Sequence, residues 1–191
     1  MSATPIATSR SAAGMPTGRL AVWWIVFSEI VIFGGLLASY VMHRLAHDAW
    51  SEQAAHTNTW IGAFNTFVLL TSSYFAVRGH QAAEAGDGPG AARWLWMCFA
   101  GGATFLAVKG YEWTMEISHG FTITSSTFWS FYYTAAGLHA SHVIAGITIM
   151  AIIAVAAKRN ENLHRVELIG IYWHFVDIVW IFLFPLLYIA K

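Results

Sequence analysis

Three pairs of ionisable residues are each spaced three apart within apolar stretches of the sequence. The pairs are Lys109 with Glu112, His139 with His142, and His174 with Asp177. Residues three apart lie on the same face of an α-helix, so each pair would present two polar side chains in one direction. Ammonium, carboxylate and imidazole groups can bind metal ions, carry protons or bond to one another, and burying them without such a role is costly.

A seventh ionisable residue, Glu29, lies in another apolar stretch, and three hypotheses account for the set. In the first, carboxylates and imidazoles from several helices bind metal, as in carboxylate-bridged di-iron bundles. Those centres use Glu-x-x-His, whereas this chain has His-x-x-His and His-x-x-Asp, and Lys109 adds positive charge beside Glu112. In the second, the groups relay protons. In the third, which we favour, they satisfy one another in a buried polar network that fixes helix docking.

Motifs for covalent or phosphate chemistry do not accompany these residues. The sequence contains no G-x-S-x-G nucleophile elbow, no phosphate-binding loop and no C-x-x-C motif. The single cysteine, Cys98, can form neither a disulfide framework nor a cysteine-based metal site, and it is predicted to be a small buried residue. We therefore predict no catalytic residue and no metal ligand in this chain.

The composition places the polar residues in a membrane. Of 191 residues, 57% are hydrophobic and 10% are charged, whereas about 25% of residues are charged in soluble domains. A bilayer-spanning helix needs about 20 apolar residues, and a span must be helical because lipid offers no partner to backbone polar groups. We predict an all-α bundle of five transmembrane helices at about 20–42, 59–77, 94–115, 127–157 and 168–190.

The chain is predicted to have one domain. Residues 1–18 are small and polar and should form a flexible tail without the apolar core of a signal peptide, and residues 19–191 should form the five-helix transmembrane domain. Formal net charge is zero, which gives no indication of nucleic-acid binding. The Gly- and Pro-rich stretch at 79–92 is the candidate linker between spans, and Pro185 is expected to kink the last span.

The basic residues predict the orientation of the bundle. The side of the N-terminus would carry Arg10, Arg19, Arg78, Arg93, Lys158, Arg159 and Arg165. The other side would carry Arg44 and Lys191. By the positive-inside rule, the N-terminus should be cytoplasmic and the C-terminus outside. Lys158 and Arg159, at the cytoplasmic end of the fourth span, are candidates for holding an anionic lipid headgroup, the alternative being ordinary positive-inside flanking.

Five motifs lie in order on the five predicted spans. They are FSEIVIFGGLLASY (27–40), NTFVLLTSSY (65–74), KGYEW (109–113), GLHASHVIAG (137–146) and YWHFVDIVWIFLFPLLY (172–188). As a set they resemble subunit III of the haem-copper oxidase superfamily, over nearly the whole chain from about residue 20. Long members of that family have seven spans. With five predicted spans, this chain resembles the short form of the family. Trp60 stands where some members carry a carboxylate, five residues before the Asn-Thr pair of the second span.

The resemblance implies a non-catalytic subunit III of a respiratory terminal oxidase that uses cytochrome c or quinol. Such a subunit packs on subunit I in a complex that also contains subunit II, binds phospholipid and supports stable proton uptake and turnover in the bacterial cytoplasmic membrane. Haem and copper are expected in the partner subunits and no redox cofactor in this chain. Many relatives have Gln where this chain has Lys109, which leaves an accessory or assembly protein of a nitric oxide reductase as the alternative.

Overall fold

The computed structural model describes residues 16–46 and 50–190, so the predicted tail lies outside the described residues except for 16–18. The elements are α1 (Thr17–Ala46), α2 (Trp50–Ala54), α3 (Thr59–Glu84), α4 (Gly88–Ser118), α5 (Thr127–Ala157), α6 (His164–Phe184) and a π-helical segment (Pro185–Ile189). Five of the helices, the last taken with the π-helical segment, are long and apolar enough to cross a membrane. The prediction of an all-α, five-span protein is therefore confirmed.

Most helices extend beyond the predicted spans, and three of them begin at a polar side-chain cap. Asn58 accepts hydrogen bonds from the first turn of α3, Asp87 from Gly90 N, and Ser126 from Trp129 N. These side chains accept hydrogen bonds from the backbone N–H groups of the first helical turn, which have no partner within the helix. The short helix α2, between α1 and α3, was not predicted, since five residues are too few to show an apolar period.

The predicted linker at 79–92 is wrong. α3 continues to Glu84 and α4 begins at Gly88, which leaves 85–87 as the connection. Gly86 has a φ of 76°, a left-handed conformation that suits glycine and reverses the chain in three residues. Pro89 lies in the first turn of α4, where its missing N–H costs nothing. Gly and Pro here mark a tight turn between two helices.

Contacts between the helices show that successive spans alternate in direction. A Cβ built on Gly101 would lie 2.6 Å from the Ser72 Cβ, and one on Gly79 would lie 3.4 Å from the Trp94 Cβ, so α3 and α4 are antiparallel. The α1 and α6 helices are parallel, since contacts join Arg19 to Glu167 at one end and Tyr40 to Leu186 at the other. We call the end where α1 begins the first end of the bundle and the opposite end the second end.

Trp173 of α6 fills the centre of the bundle. Its side chain is fully buried, and its indole N–H donates to the Ser72 hydroxyl of α3 at 3.1 Å. A Cβ on Gly102 of α4 would lie 2.7 Å from the indole, and one on Gly146 of α5 would lie 2.9 Å from it. Glycines on two helices thus provide the space for one large side chain, which brings α3, α4, α5 and α6 together.

The last span changes from α-helical to π-helical at Pro185, because proline cannot donate to the helix ladder. The backbone carbonyls that follow Pro185 accept hydrogen bonds from side-chain hydroxyls instead. The bonds are Tyr40 Oη to Leu186 O at 2.6 Å, Thr57 Oγ1 to Leu187 O at 3.3 Å, and Thr59 Oγ1 to Tyr188 O at 3.0 Å. The second end of the bundle is therefore joined to α1 and to the start of α3 through polar contacts.

Candidate functional site

A buried cluster of polar side chains surrounds Lys109 near the second end. The Lys109 ammonium donates to Glu112 Oε2 at 3.0 Å, to the Tyr132 hydroxyl at 2.8 Å and to the Tyr188 hydroxyl. The Tyr188 hydroxyl donates in turn to Glu112 Oε2 at 3.0 Å, and the Tyr132 hydroxyl donates to Glu116 Oε1 at 3.0 Å. The cluster therefore connects α4, α5 and the π-helical segment.

The bonding capacity of the Lys109 ammonium is fully used. Lysine has three N–H donors, and here they go to one carboxylate and two phenols. The rings of Trp113 and Trp180 also lie under the charge, with centroids 5.8 and 5.7 Å from Nζ, where cation–π attraction acts. The ammonium occupies the place that a bound cation would take between the carboxylates. The arrangement fastens three elements together through the Lys109 ammonium, while Glu112 Oε1 and Glu116 Oε2 have no hydrogen-bond partner among the described residues.

Glu29 and His142 form a second, separate contact between α1 and α5. Glu29 Oε2 lies 3.1 Å from His142 Nε2, and the two side chains are 18% and 15% exposed. The Phe33 ring packs edge-on against the imidazole with centroids 5.3 Å apart. His142 Nδ1 lies 2.8 Å from Leu138 O of the preceding turn. This contact is on the periphery, where α1, the least buried span, meets the bundle.

His139, one turn before His142, faces the interior. It is fully buried, and its ring stacks on Trp180 at 5.1 Å and meets the Phe105 edge at 5.4 Å between centroids. Within the described residues neither ring nitrogen has a hydrogen-bond partner. The two histidines of the His-x-x-His motif thus meet different environments, one aromatic and one carboxylate.

His174 and Asp177 also have different surroundings. His174 Nδ1 lies 2.6 Å from the Ser73 hydroxyl of α3. Asp177 is 3% exposed, and neither carboxylate oxygen makes a hydrogen bond in the part of the chain that the structure describes. The Ser73 hydroxyl lies near this carboxylate but without the geometry of a hydrogen bond. Asn65, buried in α3, likewise has no partner there for its amide atoms.

The predicted polar set is therefore divided into local contacts. Lys109 is joined to Glu112, His142 to Glu29, and His174 to a serine. Residues 16–46 and 50–190 contain no group of three or more His, Cys, Asp or Glu side chains that could hold a metal ion. The single cysteine, Cys98, is fully buried.

Sequence reasoning missed three members of the Lys109 cluster. Glu116 lies four residues after Glu112 and shares its helical face, a signal that the sequence did contain. Tyr132 and Tyr188 are distant in sequence and carried no such signal, because an aromatic residue near a span end is typical of a membrane interface. Both are in fact fully buried, and only the packing of three elements brings their hydroxyls to Lys109.

Of the two lipid-headgroup candidates, only Lys158 lines a groove. Lys158, the C-cap residue of α5, lines an open groove of about 510 Å³ together with Arg93 of α4. Arg159 does not line that groove. The basic neighbour of Lys158 across the groove is therefore on another helix, 65 residues earlier in the chain.

The described residues form five helices able to span a membrane, which alternate in direction and are joined by buried polar contacts, and they define a multi-pass α-helical membrane protein. The surface of the spans is largely apolar, with exposed side chains such as Trp24, Phe27 and Ile152. Within this class, the comparisons with known proteins identify the family.

A family model described as "Cytochrome c oxidase subunit III" matches residues 7–191. "Cytochrome c oxidase subunit 3" of Corynebacterium diphtheriae is 35% identical over 194 residues, with 97% of this chain and 95% of the relative covered. The protein of the same name from Thermostichus vulcanus is 34% identical over 169 residues, with 86% and 83% covered. The chain belongs to the cytochrome c oxidase subunit III family, as its motifs indicated, and is a subunit III of a multi-subunit haem-copper oxidase.

Proposed function

We propose that the chain is the non-catalytic subunit III of a bacterial respiratory terminal oxidase that takes electrons from cytochrome c or quinol. It packs on subunit I in a complex with subunit II, binds phospholipid, and supports stable proton uptake and turnover in the cytoplasmic membrane. The observation that carries the non-catalytic role is the bonding of the Lys109 ammonium, whose three donors all go to side chains of this chain and join three elements. Haem and copper would then reside in the partner subunits.

The exposed face of α5 supports packing on a partner helix. Gly137, Ser141 and Ala145 follow one another at four-residue intervals, and Ser141 and Ala145 are exposed. The Ser141 hydroxyl donates to Leu138 O of its own helix at 2.6 Å, so it requires no further partner. Small residues let two transmembrane helices approach closely, which replaces the hydrophobic effect as the cause of association in lipid.

Affinity purification of the tagged chain in mild detergent, with an optical spectrum and a metal analysis, tests this proposal. We expect haem and copper to co-purify with larger subunits, and the chain to be colourless once it is separated from them. Recovery of the chain alone with stoichiometric iron, zinc or manganese would overturn the proposal. Oxygen consumption by the purified complex, as opposed to nitric oxide reduction, would distinguish an oxidase from a nitric oxide reductase with an accessory chain.

A further inference from the structure

Two cationic side chains lie over one groove at the first end of the bundle. Arg93 and Lys158 are both exposed, and both line the groove of about 510 Å³ between the start of α4 and the end of α5. Among the described residues, neither forms an ion pair with a carboxylate. Two positive charges that the chain itself does not neutralise favour an anionic ligand between them, such as a phosphate group.

The groove continues away from these charges along α4. A second groove of about 320 Å³, between α3 and α4, shares Met97 and Ala100 with the first and reaches Thr104. The hydroxyls of Thr71 and Thr104, which line it, donate to the carbonyls of their own helices, each at 2.8 Å. Their methyl groups and the neighbouring apolar side chains remain as its walls. An acyl chain suits such a surface, whereas a polar ligand would find no unpaired hydroxyl there.

The length of the two grooves matches one leaflet of a bilayer. The rise along α4 from Arg93 to Thr104 is about 16 Å at the usual spacing of a helix, and half of a hydrocarbon core is about 15 Å. Trp96 lines the first groove next to the charges and is 43% exposed. A half-exposed indole is typical of the headgroup level.

We infer that this surface binds one anionic phospholipid, with its phosphate between Arg93 and Lys158 and an acyl chain along α3 and α4. The inference rests on the lipid-binding part of the proposed function and gives it a location. It also replaces Arg159 by Arg93 as the partner of Lys158. The larger groove between α1 and α6, of about 580 Å³, has no lysine or arginine among the described residues that line it.

The test compares two double variants that remove the same charge from the same end of the bundle. The full chain with its partners is purified, stripped of lipid, and returned to phosphatidylcholine vesicles that contain phosphatidylglycerol. Native mass spectrometry then counts the phosphatidylglycerol retained. We expect one molecule on the unmodified chain and on Arg159→Ala/Arg165→Ala. For Arg93→Ala/Lys158→Ala, we expect affinity lower by about tenfold or more. Equal losses in the two double variants would overturn the inference, because they would indicate diffuse surface charge.

A groove-filling variant tests the acyl chain separately. Ala100 is exposed, so Ala100→Phe should fold while obstructing the point where the two grooves meet. Gly34→Leu, in the α1–α6 groove, is its control, since a Cβ added at Gly34 meets no neighbouring atom within 4 Å. We expect Ala100→Phe to lose the lipid and Gly34→Leu to keep it.

Inorganic phosphate in excess should not displace the lipid, and displacement by phosphate would count against the site. Full retention of the lipid by Ala100→Phe would also count against it. Haem and copper content is measured on the same samples. If the lipid is lost while haem and copper remain, the lipid site is wrong and the oxidase assignment stands. If haem and copper are absent while the lipid is retained, the oxidase assignment is wrong and the lipid site stands.

Discussion

The Lys109 ammonium lies 3.0 Å from Glu112 Oε2, and both side chains are only 2% exposed. The two residues belong to the same helix, so the pair alone fixes nothing between helices. Its structural effect arises because Tyr132 of α5 and Tyr188 of the π-helical segment bond to it. A buried ion pair is tolerated when further hydrogen bonds satisfy it, and here those bonds come from two other elements. Formation of the pair is thereby coupled to the assembly of the second end of the bundle.

Replacing Lys109 alone should be strongly destabilising. Lys109→Met leaves the Glu112 carboxylate buried without its cation, and the loss of one partner of a buried pair typically costs about 3–5 kcal/mol. We expect the free energy of unfolding, measured by denaturant titration in mixed micelles, to fall by this order. The double variant Lys109→Met/Glu112→Gln removes both charges and should recover most of the loss. A single variant as stable as the unmodified chain would show that Glu112 has another partner.

Glu29 should hold α1 against α5. Glu29 Oε2 lies 3.1 Å from His142 Nε2 but forms no hydrogen bond among the described residues. A hydrogen bond between helices in lipid contributes about 0.6 kcal/mol on average, which is an upper bound for this contact, so Glu29→Ala should speed hydrogen–deuterium exchange in α1 by at most about threefold. Ser28→Ala is the matched control, because the Ser28 hydroxyl donates to Ile25 O within α1 at 2.7 Å. Its exchange should not change. If both variants behave alike, the contact between Glu29 and His142 does not hold α1.

The positions of the spans could be predicted from the sequence, because apolar length is a local property. Helix α5 begins and ends at the predicted residues. The stretch at 79–92 could not be assigned in this way, since its glycines and Pro89 have the composition of a linker whether they lie in a loop or at helix ends. What decided its structure was capping by Asp87 and the left-handed turn at Gly86.

The polar contacts could be predicted only within a helix. A spacing of three residues puts Lys109 beside Glu112, and the structure has this pair in hydrogen-bond contact. The same rule puts His139 and His142 on one face, yet this face is wide enough for one to meet Trp180 and the other Glu29. The spacing of two residues predicts only which side of the helix their side chains share. The partner on the next helix depends on the rotation and tilt of both, which the sequence pattern does not contain.

The glycines around Trp173 should be sensitive to the smallest substitution. In Gly102→Ala the new methyl group would lie 2.5 Å from Ile147 Cγ2 and 2.7 Å from the indole, and such overpacking typically costs about 1–3 kcal/mol. In Gly110→Ala, on the exposed face of the same helix, nothing lies within 4 Å, so only the gain in helix propensity of up to about 1 kcal/mol remains. We expect opposite shifts of the thermal unfolding temperature. A common shift would show that Trp173 can move aside at little cost.

Asp177 distinguishes a shared polar network from isolated buried groups. Its carboxylate is 3% exposed and makes no hydrogen bond in the described part of the chain, while the nearby Ser73 hydroxyl contacts His174 Nδ1. Burying an unpaired charge is unfavourable, and asparagine has nearly the same shape without the charge. We therefore expect Asp177→Asn to leave the thermal unfolding temperature unchanged or raise it, with the same yield of haem-containing partner subunits. Asp177→Ala, which adds a cavity, should lower that temperature modestly. A loss in Asp177→Asn as large as that of Lys109→Met would instead mean that the carboxylate is bonded, through bound water, into a network with Asn65 or His139.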